Sequence, residues 1–276
     1  MKRTVIRFGC ALTLAVTAHA VEIRNNTTGT QLFYDDFETN AVTPSTQNAY
    51  DSSVDADPIA KVGNWTGVMG AALEGNNNPD PLGCIQVTTS TTSPDPVPFQ
   101  GGRDLRWYRD STHNNAALKA NLTSPQSTVG DVIHLSMRVY IPSSQNVAFR
   151  GRFLLEGSTL DFNSARAWVD INGAGFVNTV GTNFVTTTTS VPYLVNTWQE
   201  WSLDYVVGAS TFRFSVDGVS GSGTSYTTGP VYDAEFINGS NTAGSFYLDV
   251  PEATSVAFLA MGVVLLWGAR RPSRQE

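Results

Sequence analysis

The stretch that decides the fold is residues 198–218, which read WQEWSLDYVVGASTFRFSVDG. Apolar and polar side chains alternate along its first half and again along its second half, a period of two that is typical of half-buried β-strands. Gly208 to Ser210 separate the halves and Asp217-Gly218 closes the second, so the stretch predicts an antiparallel hairpin. The side chains predicted to face the core are Trp201, Leu203, Tyr205, Val207, Phe212, Phe214 and Val216.

The same alternation extends over the chain between residues 21 and 250, where no sustained helical period occurs. Its clearest case is Val132 to Ile141, whose odd-numbered residues are predicted to face the core. Val147 to Leu155 is predicted to pair with this strand as a hairpin across Pro142 to Ser144, and the threonine-rich Phe184 to Thr188 is predicted to be an edge strand. Further strands are predicted at Gln31–Asp35, Gly83–Thr89, Arg103–Arg109, Ala116–Leu122, Ala165–Ile171 and Gly244–Val250.

The tryptophan-led strand and its hairpin closing on Val216-Asp217-Gly218 resemble the laminin G-like or concanavalin A-like jelly roll. The opening Tyr34 to Glu38 and the closing Tyr247 to Asp249 also resemble the ends of related bacterial jelly rolls. This resemblance implies two stacked antiparallel sheets with the terminal strands close together. The expected fold is therefore all-β, a two-sheet antiparallel jelly-roll sandwich over residues 21–249.

The first 20 residues have the pattern of a signal peptide. Lys2, Arg3 and Arg7 are positive, Gly9 to Val16 is apolar, and Ala18-His19-Ala20 matches the small-x-small cleavage pattern. We expect a short N-terminal signal helix that is removed before Val21.

Residues 250–276 have the pattern of a sorting tail. Val250-Pro251-Glu252 is followed by an uncharged segment from Thr254 to Gly268 and then by Arg270-Arg271. The segment is short for a membrane helix, which usually needs ~20 residues, and the arginines favour the cytoplasmic side. The order of these parts resembles the PEP-CTERM tail, although Ala253 stands where that motif has a second proline. The resemblance implies insertion in the inner membrane, processing by an exosortase-like enzyme, and delivery to the cell envelope, surface or extracellular matrix.

Charge and cysteine content exclude some classes of function. The whole chain has a formal net charge of -7. When the charged residues of the leader and the tail are left out, residues 21–250 contain 11 basic and 22 acidic groups, a net charge of -11. Such a surface repels a phosphate backbone, so nucleic-acid binding is not expected. After leader removal Cys84 is the one cysteine, which excludes an internal disulfide.

Acidic residues near both domain ends suggest a structural calcium ion. Asp36 and Glu38 follow the strand at residues 31–35, and Asp249 ends the last strand. They would converge if the terminal strands were neighbours, and the resemblance implies calcium at that place. The alternative is that these carboxylates are solvated strand ends. Asp51, Ser53, Asp55 and Asp57 also alternate like calcium ligands, but Ala56 and Val62 depart from the EF-hand pattern.

Aromatic and acidic side chains suggest contact with sugars. Trp107, Tyr108 and Tyr140 are candidates for sugar-stacking rings, and Trp168, between Arg166 and Asp170 on its face, is compatible with an exposed ring or a core position. Asp233-Ala234-Glu235 places two carboxylates on one face of a strand, as a glycosidase needs, although a charged edge strand explains it equally well. His134 is predicted to be solvated on the outward face of its strand.

The sequence therefore predicts an exported envelope or extracellular-matrix protein whose domain is non-enzymatic and contacts exopolysaccharide. Two alternatives stay open: a carbohydrate-binding, lectin-like module, and a divergent glycoside hydrolase or lyase. A glycosidase of this fold class is expected to carry an acidic triplet, Glu-x-Asp-x-Glu, which this chain lacks.

Overall fold

The computed structural model describes residues 21–37, 62–69, 85–88, 104–109, 116–143, 151–156, 164–171, 173–238 and 244–249. These residues belong to one compact unit, His19–Pro251. The leader, the sorting tail with Val250, Pro251, Glu252, Arg270 and Arg271, and the candidate residues Glu38, Cys84 and His113 lie outside the described residues. Among the residues that are described, no helix is long and apolar enough to cross a membrane.

The fold is all-β and consists of two antiparallel sheets. The nine-stranded sheet contains β1 (Val21–Asn25), β2 (Thr30–Asp35), β4 (Ile85–Thr88), β5 (Asp104–Arg109), β7 (Val132–Tyr140), β12 (Trp198–Val206), β13 (Thr211–Val216), β14 (Val219–Thr224) and β16 (Gly244–Asp249). The seven-stranded sheet contains β3 (Asn64–Met69), β6 (Ala116–Gln126), β8 (Gly151–Glu156), β9 (Ala167–Ile171), β10 (Phe176–Gly181), β11 (Val185–Pro192) and β15 (Val231–Asn238).

The strand order within each sheet is non-sequential. The nine-stranded sheet runs β14-β13-β12-β7-β16-β5-β4, with β1 paired to β7 and β2 paired to β1. The seven-stranded sheet runs β11-β10-β9-β8-β15-β6-β3. Stacked antiparallel sheets with such crossovers agree with the jelly-roll sandwich that the sequence predicts.

The central hairpin forms as its alternation predicts. β12 and β13 pair from Trp201 opposite Val216 to Tyr205 opposite Phe212, and all seven side chains predicted to face the core are buried. The odd-numbered residues of β7 are buried in the same layer. Because a one-residue slip would turn every one of these side chains to solvent, the apolar pattern fixes the register.

Two parts of the fold differ from the prediction. β8 does not pair with β7 as a hairpin; it lies in the other sheet, between β9 and β15. The sheet also begins earlier than expected, because Val21 to Asn25 already form a strand in which Val21 and Ile23 are buried. The predicted edge position of β11 is confirmed.

The two ends of the domain meet on one side of β7. β1 pairs with β7 from Ile133 to Met137, and β16 pairs with the next three residues, Arg138 to Tyr140. Both are antiparallel to β7, so they run in the same direction, end to end. Asp249 lies opposite Arg138 and Val21 opposite Met137, which are adjacent positions in the register.

A buried carboxylate joins the two sheets near the start of the domain. Asp35, at the end of β2, is fully buried and accepts hydrogen bonds from Trp65 Nε1 at 2.6 Å and from the backbone nitrogen of Phe37 at 2.9 Å. Trp65 belongs to β3 in the seven-stranded sheet, and its ring contacts Phe33 edge-on at 4.6 Å. The bond to Phe37 also closes a turn in which Phe37 has a φ of 57°, a value that non-glycine residues rarely adopt.

Candidate functional site on the outer face of the seven-stranded sheet

Strand β15 presents two carboxylates on the outer face of its sheet. Ala234 and Phe236 share a face of the sheet with Trp65 of β3, and the Phe236 ring lies 6.1 Å from that of Trp65. This face is turned toward the nine-stranded sheet, because Trp65 contacts Phe33 of β2. The alternation of a strand then turns Asp233 and Glu235 to the opposite face. Both are nevertheless buried, with 6% and 0% of their surface exposed. The outer face of this sheet is thus shielded from solvent where these acids lie.

Lys119 provides the positive charge of the site. It lies on β6 directly opposite Glu235, and its Nζ is 3.4 Å from Asp233 Oδ2. Burial raises the pKa of Asp233 above its ordinary value, and the charge and hydrogen bond of Lys119 oppose that shift in part. A buried ion pair of this kind loses hydration on both partners, and this cost offsets much of their attraction.

A tryptophan lies on the same face of the sheet. The register continues from Glu235 through Leu154 of β8 to Trp168 of β9. Trp168 is buried, and the Phe184 ring packs on it edge-on at 5.9 Å. Its same-face neighbours Arg166 and Asp170 are buried as well. Of the two positions that the sequence left open for Trp168, the exposed ring is wrong and the buried ring is confirmed.

Arg166 holds the chain that leads into β15. Its Nε donates to the carbonyl oxygen of Pro230 at 3.0 Å, and its Nη1 donates to the carbonyl oxygen of Ser164. Pro230 directly precedes Val231, the first residue of β15. These bonds connect the start of β9 to the start of the strand that carries both acids.

The chemistry of these groups is that of a site for a polyhydroxylated ligand, although the side chains themselves are buried. Carboxylates accept hydrogen bonds from hydroxyl groups, an ammonium group donates them, and an indole offers a flat apolar surface. Asp233 and Glu235 are two residues apart along a strand, which separates their Cα atoms by ~6.8 Å.

The sequence identified the two acids but not their setting. Asp233 and Glu235 share a face as predicted, whereas the charged edge strand offered as their alternative explanation is wrong. β15 is an interior strand, between β8 and β6. Lys119 was missed, because one lysine in an alternating strand gives no signal that it is buried beside two acids.

The predicted sugar-stacking residues belong to the other sheet. Tyr140 is half-buried, and its ring contacts those of Trp198 at 5.4 Å and Tyr247 at 6.0 Å. The register places Trp107 opposite Phe246 and Tyr108 opposite Ser245. The structure therefore does not bring Trp107, Tyr108 and Tyr140 together with Asp233 and Glu235.

Two of the three predicted calcium ligands come close in the register. Val21 lies opposite both Asp35 and Met137. Asp36 directly follows Asp35, and Asp249 lies opposite Arg138, the next residue along β7. Asp36 Oδ2 accepts a hydrogen bond from the Tyr34 hydroxyl at 3.2 Å. Within the described ranges, no group of three or more His, Cys, Asp or Glu side chains is placed to hold a metal ion. Glu38 and the loop at 51–57 lie outside those ranges.

His134 has a partner that its sequence position does not reveal. Its Nδ1 lies 2.7 Å from Asp204 Oδ1, directly across the β7–β12 pair. It lies on the outward face, as predicted, but as the member of a pair rather than as a solvated ring. The pair is on the nine-stranded sheet and does not belong to the candidate site.

No family model matches the chain, and no curated protein matches it in sequence. Solved structures do match. An endo-1,3-β-glucanase from Streptomyces sioyaensis is 17% identical, with 80% of this chain and 94% of that chain covered and a TM-score of 0.46. A carbohydrate-binding module, CBM66 from Bacillus subtilis, is 11% identical, with 69% and 95% covered and a TM-score of 0.41. A sialidase is 10% identical, with 69% of this chain but 20% of that chain covered and a TM-score of 0.43. The chain thus spans about a fifth of that sialidase.

Proposed function

We propose that this chain is an exported β-sandwich that contacts a polysaccharide through the outer face of its seven-stranded sheet. The observation that carries the proposal is that Lys119, Asp233, Glu235 and Trp168 face outward from the sheet and are nevertheless buried. Ionisable side chains that converge beside an aromatic ring, one of them with a raised pKa, mark a candidate functional site. The net charge of -11 over residues 21–250 favours a neutral polymer over an anionic one.

Glycan binding by the domain of residues 21–249 tests this proposal. The expected result on a glycan array is binding to at least one neutral polysaccharide, which Glu235→Gln reduces tenfold or more because it removes a charged acceptor. Glu200→Gln is the matched control, since Glu200 lies on the other sheet, where it pairs with Arg138 at 3.0 Å. Equal loss in both variants, or no binding by the unmutated domain, would overturn the proposal.

A second candidate function is hydrolysis or elimination at a glycosidic bond. The observation in its favour is the raised pKa of Asp233 beside a second buried carboxylate, since a general acid must keep its proton near the working pH. Incubation with the bound polymers separates the two candidates. New reducing ends that disappear in Asp233→Asn indicate an enzyme, whereas binding without new reducing ends indicates a binding module.

We further propose that the tail directs this domain to the cell envelope. The support is the order of Val250-Pro251-Glu252, the uncharged segment and Arg270-Arg271. Deleting residues 251–276 is expected to release the domain into the periplasm or medium. Replacing Arg270 and Arg271 with glutamine is expected to mis-orient the segment, because positive charge favours the cytoplasmic side. Fractionation that finds the deleted and full chains equally membrane-bound would refute the sorting proposal without affecting the glycan proposal.

A further inference from the structure

One side of the sandwich is formed by the edge strands of both sheets. β14 ends the nine-stranded sheet and β11 ends the seven-stranded sheet. They lie against each other, because a Cβ atom at Gly221 of β14 would come within 2.9 Å of Val191 of β11. Between them runs a groove of about 390 Å³, lined chiefly by threonine, serine and glycine. We call β11 and β14 with this groove the paired edge.

The paired edge carries no charged residue. The sequence has no Asp, Glu, Lys or Arg from residue 171 to 199, a stretch that contains β10 and β11, and none from 218 to 232, which contains β14. Residues 21–250 as a whole carry a net charge of -11. The strands of the paired edge bring no like charges together when two copies meet there, so they add no local repulsion to that contact.

Exposed apolar side chains concentrate in the same two stretches. The described residues expose eight large hydrophobic side chains, and six of them fall in the uncharged stretches. Val185, the first residue of β11, is 62% exposed. The other five are Phe176, Phe184, Leu194, Val195 and Val219. Val185 begins β11 and Val219 begins β14, so both strands of the paired edge expose an apolar side chain.

The open part of β11 is suited to pairing with another strand. Val185 to Thr188 pair regularly with Gly181 to Asn178 of β10, and their register is interrupted only after Thr188. In the described part of the chain no strand lies beyond β11, so its outer side offers unpaired backbone groups. Edge strands are usually blocked by a charge or a proline, and these four residues contain neither.

We propose that the paired edge is a contact surface for a second copy of this chain, joined by antiparallel pairing of Thr186–Thr188 with the same residues of its partner, so that Thr187 lies opposite Thr187. A strand that pairs antiparallel with itself is related to its partner by a twofold axis, so one surface serves both sides. The lack of charge leaves no electrostatic feature that would select a different partner. Association also covers the exposed side chains at Phe184 and Val185.

Cysteine cross-linking of the full exported chain tests this proposal. Single cysteines are introduced at positions 185 to 188, one per chain, with Cys84 replaced by serine. Mild oxidation is expected to give a disulfide-linked dimer at position 187, where the residue lies opposite its own copy, and less at 185, 186 and 188, whose copies lie too far apart. Thr128→Cys, in an exposed turn, is the control for chance collisions. No covalent dimer, or equal yield at all positions and in the control, would overturn the proposal, as would a cross-linked product with the mass of a different partner.

A charge variant provides a second measurement. Thr187→Lys is expected to lower the dimer fraction in sedimentation at least tenfold, because it places two like charges opposite each other across the twofold axis. Thr128→Lys is the matched control and is expected to leave the dimer fraction unchanged. A melting temperature within a few degrees of the unmutated chain confirms that each variant is folded. A folded Thr187→Lys variant that dimerises as well as its control contradicts the proposal.

Discussion

Replacing Asp35 tests whether a single buried carboxylate holds the two sheets together. Asp35→Asn keeps the shape of the side chain, but its amide has one acceptor oxygen, and its NH₂ group faces a donor. Either Trp65 Nε1 or the Phe37 nitrogen then loses its acceptor. A buried donor without an acceptor costs about 1–3 kcal/mol. Asp35→Ala removes both acceptors, so about 2–6 kcal/mol is expected from the same cost applied twice.

Urea unfolding of the 21–249 domain measures these losses. The matched control is Asp36→Asn at the neighbouring position, which is half-buried and bonded to the Tyr34 hydroxyl, and a loss below about 1 kcal/mol is expected there. The denaturant slope is expected to stay constant, because the extent of folded surface does not change.

A double-mutant cycle attributes the loss to the bond between the sheets. Trp65→Phe removes the indole donor, so Asp35→Asn is expected to cost less in that background, with a coupling of about 1 kcal/mol or more. Equal losses at Asp35 and Asp36, or a coupling near zero, would refute the reasoning. The carboxylate would then be only a local turn cap.

Three further predictions concern the core, the candidate site and the domain ends. Trp201→Ala is expected to cost about 3–5 kcal/mol and the half-exposed Trp198→Ala clearly less, as measured by urea unfolding; similar losses would contradict the placement of the two rings. Because the pKa of Asp233 is raised, the folded state keeps the proton of this carboxyl group to a higher pH than the unfolded state does. The contribution of Asp233 to stability therefore falls as the pH rises above the ordinary pKa of 3.8. As the pH rises above 3.8, the free energy of unfolding of the Asp233→Asn variant is therefore expected to increase relative to that of the unmutated domain. If the two free energies change in parallel with pH, this expectation is contradicted. If calcium binds at Asp36, Glu38 and Asp249, calcium at 100 times its dissociation constant adds about 2.7 kcal/mol of stability. Asp249→Asn should remove most of the resulting rise in melting temperature, and an unmoved melting curve of the unmutated domain would rule the ion out.

The parts of the fold that the sequence predicts correctly depend on local patterns. The hairpin at residues 198–218 and the strand β7 follow from alternation within single strands, which needs no knowledge of distant neighbours. The pairing of β8 was wrong because closeness in sequence suggested a hairpin with β7, while the jelly-roll connection sends β8 to the other sheet. β1 was missed although Val21 and Ile23 alternate with Glu22 and Arg24.

The candidate site could be predicted only in part for a related reason. Alternation identifies Asp233 and Glu235 as same-face acids, but it cannot distinguish an interior strand from an edge. It also assigns charged residues to solvent, whereas Lys119, Asp170 and Arg166 are buried on an outward face. Burial of an outer face depends on chain segments far away in sequence, and a period of two contains no information about them.

The end-to-end arrangement of β16 and β1 has a consequence for how the chain can be rewired. Since Asp249 and Val21 occupy successive register positions along β7, a short linker between them would make the domain circular without disturbing its strand pairing. New ends could then be opened at the turn of Gly208 to Ser210, which gives a circularly permuted domain with the same two sheets. For the natural chain, a force applied through either terminal extension acts on the same point of the nine-stranded sheet. The fold is therefore loaded at the same position of β7 whether the force is applied through the N-terminal or the C-terminal end.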